Sequence, residues 1–357
     1  MSNILNLNQK QAKILKKNIK NFSLTELQII CEKLKIPKYK AKQIFSWIYK
    51  KGAKNFEQMS DIQKDIRLFF DNNFKISVFE KVESLNSDDG TIKYLFELSD
   101  KNVIETVVIS SKKRKTLCIS SQVGCKMACV FCASGMMKFK RNLDVAEIIE
   151  QIWYIKFIEN IEIDNFVFMG IGEPFDNFDN IKNALQIMND KNGFNIAARR
   201  ITISTSGIVS GIEAIKNINL QINLAVSLHT ANQAKRKSIM PIAEKYTITQ
   251  LSRACKNYFE KTNRIITFEY MLLKGINDSK RDAFELANFA KDHKAKVNII
   301  SYNPAATSNK YLKVPNKVDI NRFYNILVDK GVSVTVRNSK GNKIKAACGQ
   351  LAGKIKI

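Results

Sequence analysis

The chain is poor in the features that mark exported or membrane-bound proteins. Its 357 residues include only seven cysteines, a small and odd number, so we expect no disulfide framework. No apolar run approaches the roughly 18–20 residues that are needed to cross a bilayer. Residues 1–20 also lack the continuous apolar segment of a secretory signal. These absences predict a cytoplasmic protein that has no contact with a membrane.

Repeats of fixed period and low-complexity tracts are absent as well. Apolar residues make up 45% of the chain and charged residues 25%, which is ordinary for a globular protein, so we expect a packed core rather than disorder. At about 100–200 residues per domain, the length indicates one large domain with an appendage, or two domains.

Acidic residues are few relative to basic ones. Lys and Arg together number 58 against 33 Asp and Glu, which gives a formal net charge of +25. Lys-rich coding and solvated lysine faces explain part of this excess. The excess is nevertheless uneven, because residues 1–60 and 309–357 are strongly basic and residues 144–180 are acidic. A basic surface built from the two ends of the chain modestly favours a nucleic-acid partner.

The periodicity of apolar residues changes along the chain. Residues 24–70 follow a helical period, beginning with the capping-box pattern of Ser23 and Glu26. A period of two predicts strands at residues 76–78, 92–97, 103–109 and 116–120. Beyond residue 120, helical and strand-like stretches alternate about six times, which predicts an α/β fold with a parallel sheet, as a barrel or partial barrel.

Three cysteines follow the strand at 116–120 with the spacing C-x3-C-x2-C, namely Cys125, Cys129 and Cys132. Thiolates this close converge on one metal ion or one iron–sulfur cluster. A structural zinc ion needs four ligands. The only histidines, His229 and His293, are far along the chain, although Cys118 remains a candidate fourth ligand. A [4Fe–4S] cluster held by three cysteines leaves one iron open, which favours the cluster over zinc.

With Phe131 before the last cysteine, this motif resembles the signature of the radical S-adenosylmethionine (SAM) superfamily. The resemblance implies one [4Fe–4S] cluster whose open iron chelates SAM. Reduction of the cluster then cleaves SAM into methionine and a 5′-deoxyadenosyl radical. An electron donor such as flavodoxin or ferredoxin is implied as well.

Further motifs resemble the RlmN-type adenine-C2 methyltransferases. They are the segments at residues 120–125, 168–174, 225–229 and 346–353. The resemblance implies a partial (βα)6 barrel with a small helix–hairpin–helix-like N-terminal domain and a β extension. We place an RNA-binding domain at 1–75, a β-rich connection at 76–110, the radical SAM core at 111–345 and a C-terminal segment at 346–357. The implied substrates are 23S ribosomal RNA and the tRNA adenosine 3′ of the anticodon, and we expect a monomer that uses two SAM molecules per turnover.

The same resemblance assigns residues to the SAM site. Each lies at the carboxyl end of a predicted strand, where barrel enzymes bind ligands. They are Gly172, Glu173, Ser204, Ser227, Leu228, His229 and Asn303. On the residues alone, each is equally well a turn or cap residue.

Three further residues receive catalytic roles from the resemblance. Cys348 carries a methyl group taken from the first SAM, and the radical from the second SAM activates that methyl group for addition to C2 of adenine. Cys118 resolves the protein–RNA thioether through a transient Cys118–Cys348 disulfide. Glu105 accepts the C2 proton. Without the family, Cys348 reads as buried filler and Glu105 as an outward-facing strand residue.

One departure and three alternatives accompany this prediction. Lys343 and Lys345 stand where the family pattern is acidic, which concerns a local acid near the methyl carrier and not the carrier itself. The related C8-methylating resistance enzymes share the cysteine motifs but usually lack a proline after the Gly-Glu pair, so Pro174 favours C2. A zinc-stabilised RNA-binding protein without catalysis, and a radical SAM enzyme acting on a protein or metabolite, are the remaining alternatives.

Overall fold

The computed structural model describes residues 16–111, 114–304, 311–337 and 339–352. Residues 1–15 of the predicted N-terminal domain, and with them most of the stretch inspected for a secretory signal, lie outside this part. So do residues 353–357 of the predicted C-terminal segment. None of the described helices is long and apolar enough to span a membrane.

The N-terminal part is helical, as predicted. A short strand, β1 (Lys17–Asn18), precedes the helices α1 (Leu24–Lys33), α2 (Lys38–Tyr49) and α3 (Lys64–Asn73) and pairs in parallel with β2 (Phe74–Lys75). The capping box at the start of α1 is present, since Ser23 N donates to Glu26 Oε2 at 2.7 Å and Glu26 N donates to Ser23 Oγ at 3.3 Å.

The strands that follow belong to two sheets. They are β3 (Glu80–Asn86), β4 (Ile92–Glu97), β5 (Val103–Ser110), β6 (Lys115–Cys118), β7 (Gln122–Val123), β8 (Arg141–Asn142), β9 (Asn165–Phe168), β10 (Ile201–Thr205), β11 (Asn223–Ser227), β12 (Thr267–Leu272), β13 (Lys296–Ser301) and β14 (Val334–Arg337). One ten-stranded sheet has the order β3-β4-β5-β6-β9-β10-β11-β12-β13-β14. The strands β6 and β9–β14 pair in parallel, whereas β3, β4 and β5 form an antiparallel extension on the β6 edge. Strands β7 and β8 pair separately.

The helices of this part connect the parallel strands. They are α4 (Ala133–Met136), α5 (Val145–Phe157), α6 (Phe178–Asn189), α7 (Val209–Ile215), α8 (Gln233–Ile239), α9 (Ile242–Lys245), α10 (Ile248–Thr262), α11 (Lys280–Asp292) and α12 (Lys317–Asp329). Six strand–helix units begin at β6, β9, β10, β11, β12 and β13, and β14 adds a seventh parallel strand. The predicted α/β fold, with a six-unit partial barrel and a β extension, is therefore confirmed.

The predicted strand at 76–78 is wrong, because the strand begins at Glu80. The polar groups of this segment are bound by a buried ion pair instead of a neighbouring strand. Lys20 Nζ lies 2.6 Å from Glu150 Oε2 and donates to Ser77 O at 2.8 Å, and Phe79 N donates to Glu150 Oε1 at 3.2 Å. The link between the helical part and the barrel is therefore an irregular segment that is anchored through Glu150.

Candidate active site

A cavity of about 800 Å³ opens at the carboxyl ends of the parallel strands. The loop that carries Cys125, Cys129 and Cys132 forms one of its walls, and the segment after β9 with Gly172 and Glu173 forms another. We call this the first cavity. It has the position at which barrel enzymes bind their ligands, so the structure brings the predicted cluster loop and part of the predicted SAM site together.

The three cysteine thiols of the loop all line the first cavity. Gly124, which has φ +75°, lets the loop turn, because a Cβ there would lie 2.4 Å from Lys138 O. Burial raises the pKa of the Cys125 thiol to about 12 and that of Cys129 well above its usual range. Thiols in such a setting ionise when a metal centre binds them.

Within the described ranges, no three His, Cys, Asp or Glu side chains are grouped to hold a single metal ion. A single zinc ion draws its thiolate ligands to about 2.3 Å from one centre, whereas each thiolate of a [4Fe–4S] cluster binds a different iron. Three thiols that line one cavity are a donor set that fits a [4Fe–4S] cluster, since each thiolate binds a different iron.

Two glycines after β9 allow their segment to approach the backbone of the segment that follows β6. A Cβ on Gly170 would lie 2.7 Å from Ile119 C, and Gly172 has φ +108° with its Cβ position 2.6 Å from Gln122 Cβ. Only glycine fits such close packing, which holds the β9 loop against residues 119–122 at the wall of the first cavity. The adjacent Glu173 side chain is buried, and it accepts hydrogen bonds from Ser206 N at 2.7 Å and Phe175 N at 3.1 Å. Burial raises its pKa.

Replacement of Gly172 tests the role of this close packing in the shape of the first cavity. Gly172→Ala adds backbone strain of about 1–3 kcal/mol and a clash with Gln122, so we expect a lower free energy of unfolding and weaker SAM binding. Gly275→Ala is the matched control, because Gly275 also has a positive φ, +77°, but its Cβ would meet nothing within 4 Å. The measurements are thermal unfolding and equilibrium dialysis with SAM. Equal losses of SAM binding in the two variants would contradict a role of the close packing at Gly172 in SAM binding.

The remaining predicted SAM residues fall into different places. Ser204, Ser227 and His229 line the first cavity. The side chain of Leu228 is buried in the hydrophobic core and does not line it. Asn303 lines a neighbouring cavity and donates from Nδ2 to Cys348 O at 3.3 Å.

His229 has a fixed hydrogen-bonding role. Its Nδ1 accepts from Met271 N at 2.9 Å, and its ring packs edge-on against Phe131 at 4.7 Å. Burial, with Arg236 nearby, lowers the pKa of His229 to about 3. The imidazole is therefore neutral at physiological pH and presents its Nε2 as a donor.

Among the described residues, one buried polar atom of the first cavity, Glu269 Oε2, has no hydrogen-bond partner. An unpaired buried polar atom is costly in a folded protein, so it points to a ligand that supplies the missing bond. A ligand with several hydroxyl and amino groups, such as SAM, fits this lining.

A second cavity, of about 890 Å³, adjoins the first. Cys118 lines it, while Cys132 and Cys348 line both cavities. Burial raises the pKa of the Cys118 thiol to about 12, with a further contribution from Cys348. Burial also raises the pKa of Cys348, and Arg337, which lines both cavities, opposes the shift at both thiols. The three predicted cluster ligands, Cys118 and Cys348 thus converge on one connected space.

Glu105 lies in β5, away from these walls. It lines neither cavity, and its Oε1 lies 3.0 Å from Lys93 Nζ while its Oε2 accepts from Ala352 N at 3.0 Å. The structure therefore joins Glu105 to the segment that carries Cys348 rather than to the cavity surface.

Sequence reasoning missed Arg337, Glu269 and Lys93. Glu269 and Lys93 are charged residues inside apolar strands, as is Glu105, which was assigned through the family resemblance, whereas Arg337 ends the exposed strand β14. Glu269 lies in β12 with its side chain 5% exposed, and Arg337 Nη1 reaches it at 3.7 Å from the edge strand β14. That pairing crosses the intervening strand β13, and a single sequence does not reveal it.

Comparisons with known proteins agree with this architecture. A model of the radical SAM superfamily matches residues 119–287, and a model of the ribosomal RNA large subunit methyltransferase N-terminal domain matches residues 17–76. The crystal structure of a radical SAM methyltransferase from Sphaerobacter thermophilus superimposes with a TM-score of 0.89 at 38% identity, and the match covers 95% of this chain and 100% of that one.

Curated relatives carry a more specific name. A protein of Clostridium novyi named probable dual-specificity RNA methyltransferase RlmN is 45% identical over 338 residues, which is 94% of this chain and 97% of the relative. A protein of Clostridium perfringens with the same name is 43% identical over 94% of this chain and 96% of its own length. The chain therefore belongs to the RlmN family of radical SAM enzymes and is a SAM-dependent RNA methyltransferase.

Proposed function

We propose that this enzyme methylates C2 of adenosine in 23S ribosomal RNA and in tRNA, at the adenosine 3′ of the anticodon, with Cys348 as the methyl carrier. The observation that carries the proposal is the position of Cys348 on the wall that two cavities share. One cavity holds the cysteine triad, and the other holds Cys118. A thiol in this position can accept a methyl group on the side of the cysteine triad and then react with Cys118 on the other side, as a protein-bound methyl carrier must.

Cys125, Cys129 and Cys132 would hold one [4Fe–4S] cluster, and Gly172, Glu173, Ser204, Ser227 and His229 would surround SAM. When bound, the cluster and two SAM molecules would supply an electron, a methyl group and a 5′-deoxyadenosyl radical. Leu228 and Asn303 contribute differently in this proposal: Leu228 through its backbone, and Asn303 by holding the carbonyl of Cys348.

Cys348 acts first as a nucleophile. Its thiolate forms a bond to the methyl carbon of SAM, and the methyl–sulfonium bond breaks. Later, with a methylene group joining Cys348 Sγ to C2 of adenine, the Cys118 thiolate attacks Cys348 Sγ. An S–S bond forms and the S–CH₂ bond breaks. The released electron pair stays with the carbon, which takes up a proton to become the methyl group.

Glu105 is the proposed acceptor of the C2 proton. Both of its carboxylate oxygens are hydrogen-bonded in this structure, to Lys93 and to Ala352. Each oxygen keeps one further lone pair, which is where a proton would be accepted.

The pH dependence of the last step follows from the Cys118 thiol. Its pKa of about 12 lies above working pH, so the reactive thiolate is a small fraction that grows with pH. Between about pH 7 and pH 8.5 we expect the rate of crosslink resolution to rise roughly tenfold per pH unit, until another step limits. Rapid-quench single turnovers on denaturing gels measure the lifetime of the crosslink. A lifetime that does not change with pH would contradict attack by Cys118 as a minor thiolate.

The N-terminal helices offer a surface for RNA phosphates. Lys33, Lys35, Lys38 and Lys42 are exposed on α1, α2 and the turn between them, and Tyr39 is 56% exposed among them. Lysines pair with phosphates, and an exposed ring stacks on unpaired bases. We propose that this surface and the basic C-terminal segment dock the RNA.

The experiment that tests the proposal is anaerobic reconstitution with iron, sulfide, reductant and SAM, followed by nucleoside analysis of treated ribosomal RNA and tRNA. The proposal requires 2-methyladenosine. The appearance of 8-methyladenosine would assign the enzyme to the C8 class instead. A protein that binds one zinc without sulfide, or that cleaves SAM without salt-dependent RNA binding, would contradict the proposal outright. We further propose a cytoplasmic monomer that receives its electron from flavodoxin or ferredoxin.

A further inference from the structure

The segment that carries Cys348 is fixed against the antiparallel extension of the sheet at several points. Asp89, in the turn between β3 and β4, accepts from Gly341 N at 2.9 Å, and Asp88 pairs with Lys343 at 2.6 Å. Lys93, in β4, donates to Lys345 O at 3.3 Å. The acids that the sequence of this segment lacks are thus supplied by the hairpin.

Lys93 and Glu105 form the buried part of this attachment. Their side chains are 7% and 2% exposed, and the two charged groups lie 3.0 Å apart. From this pair, one hydrogen bond reaches Lys345 O, three residues before Cys348, and another reaches Ala352 N, four residues after it. The chain is therefore hydrogen-bonded to a single ion pair on both sides of Cys348.

The opposite side of the segment rests on the cysteine loop. Ala133 N donates to Gly349 O at 2.7 Å, and Ser134 Oγ donates to Leu351 O at 2.7 Å. Ala133 and Ser134 directly follow Cys132 in the chain. The segment is thus held between the cluster loop and the β extension, with Cys348 at the shared wall of the two cavities.

We propose that Lys93 is a positioning residue, which through its pair with Glu105 holds residues 345–352 so that Cys348 faces both cavities. This inference rests on the proposed function only where it gives Cys348 a catalytic role. Removal of Lys93 leaves Lys345 O without its donor and Glu105 with an unpaired buried charge. The segment then loses the buried part of its attachment to the extension, while its contacts with Asp88 and Asp89, the cysteine triad and the barrel are unchanged.

Hydrogen–deuterium exchange on the cluster-loaded protein tests the inference without relying on turnover. In Lys93→Met we expect exchange in the peptide that spans residues 341–352 to be about tenfold faster or more, because its hydrogen bonds open locally. Strands β9–β13 should keep the exchange rates of the wild type. Lys93→Arg restores a donor and a positive charge, so it should return the exchange of the peptide toward the wild-type rate.

Lys20→Met is the matched control, because Lys20 and Glu150 form another buried pair, remote from Cys348. It should accelerate exchange in the N-terminal helices and α5 but not in 341–352. If Lys93→Met does not fold, Asp89→Ala releases Gly341 N from the exposed turn and should accelerate the same peptide to a smaller extent.

Unchanged exchange of 341–352 in Lys93→Met, or in Asp89→Ala if Lys93→Met does not fold, would overturn the inference, as would equal acceleration in Lys20→Met. Its failure is separable from failure of the proposed function. Absence of a methyl group on Cys348 in the wild type would remove the proposed function and leave the exchange result standing. A rigid segment in Lys93→Met would remove the positioning role and leave methyl transfer intact.

Discussion

Cys118→Ala is expected to leave the enzyme covalently joined to its RNA. Cys118 and Cys348 line the same cavity, Cys348 contributes to the raised pKa of Cys118, and the Arg337 charge opposes the pKa shift of both thiols. Without a nucleophile at position 118, the S–CH₂ bond between Cys348 and the adenine has no partner to break it. Turnover should therefore stop after one event, and a slow-migrating protein–RNA species should accumulate on denaturing gels.

Cys255→Ala is the matched control for this prediction. Cys255 is also a free, buried cysteine, but it packs in the core on α10 and lines neither cavity. Its replacement should give no crosslink and nearly normal product. If Cys118→Ala forms free methylated RNA over many turnovers, the resolving role of Cys118 is wrong.

Cys129→Ala is expected to abolish the metal centre. Cys129 is 8% exposed and sits in the middle of the triad that faces the first cavity. Two thiolates hold a cluster far less firmly than three, so iron and sulfide content should fall together, and SAM cleavage should be lost. The measurements are iron and sulfide analysis, the visible absorption of the reconstituted protein and the yield of 5′-deoxyadenosine.

Cys31→Ala serves as the control for the loss of a buried cysteine. Cys31 packs on the apolar face of α1 and is not part of the triad. That variant should retain iron, sulfide and SAM cleavage. A Cys129→Ala protein that keeps its full iron and sulfide content would contradict the assignment of the triad.

Local rules predicted the regular parts of this fold well. The capping box of Ser23 and Glu26 and the alternation of strands with helices after residue 120 are both present. Each depends on residues that are near one another in the sequence. The helix α8 was not among the predicted elements, and its buried face includes Arg236, a charged residue that apolar periodicity does not place in a core. Arg236 is satisfied by the carbonyls of Ser206, Ser227 and Leu228, which are distant in sequence.

In the candidate site, too, the local features could be predicted and the contacts between distant segments could not. The cysteine triad is a local pattern, so its convergence on one cavity could be predicted from spacing. The position of Asn303 beside Cys348, and the pairing of Glu105 with Lys93, depend on how the C-terminal segment folds back onto the sheet. Lys93 and Lys345 are some 250 positions apart in the sequence, and the residue spacing within either segment does not predict a contact between them.

Mass spectrometry of the peptide that contains Cys348 tests the central claim most directly. The cluster-loaded protein is incubated with SAM in the absence of RNA, digested and compared with an untreated sample. We predict that Cys348 carries one added methyl group and that Cys118 carries none. An unmodified Cys348 in a protein that has its full iron and sulfide content would contradict the account.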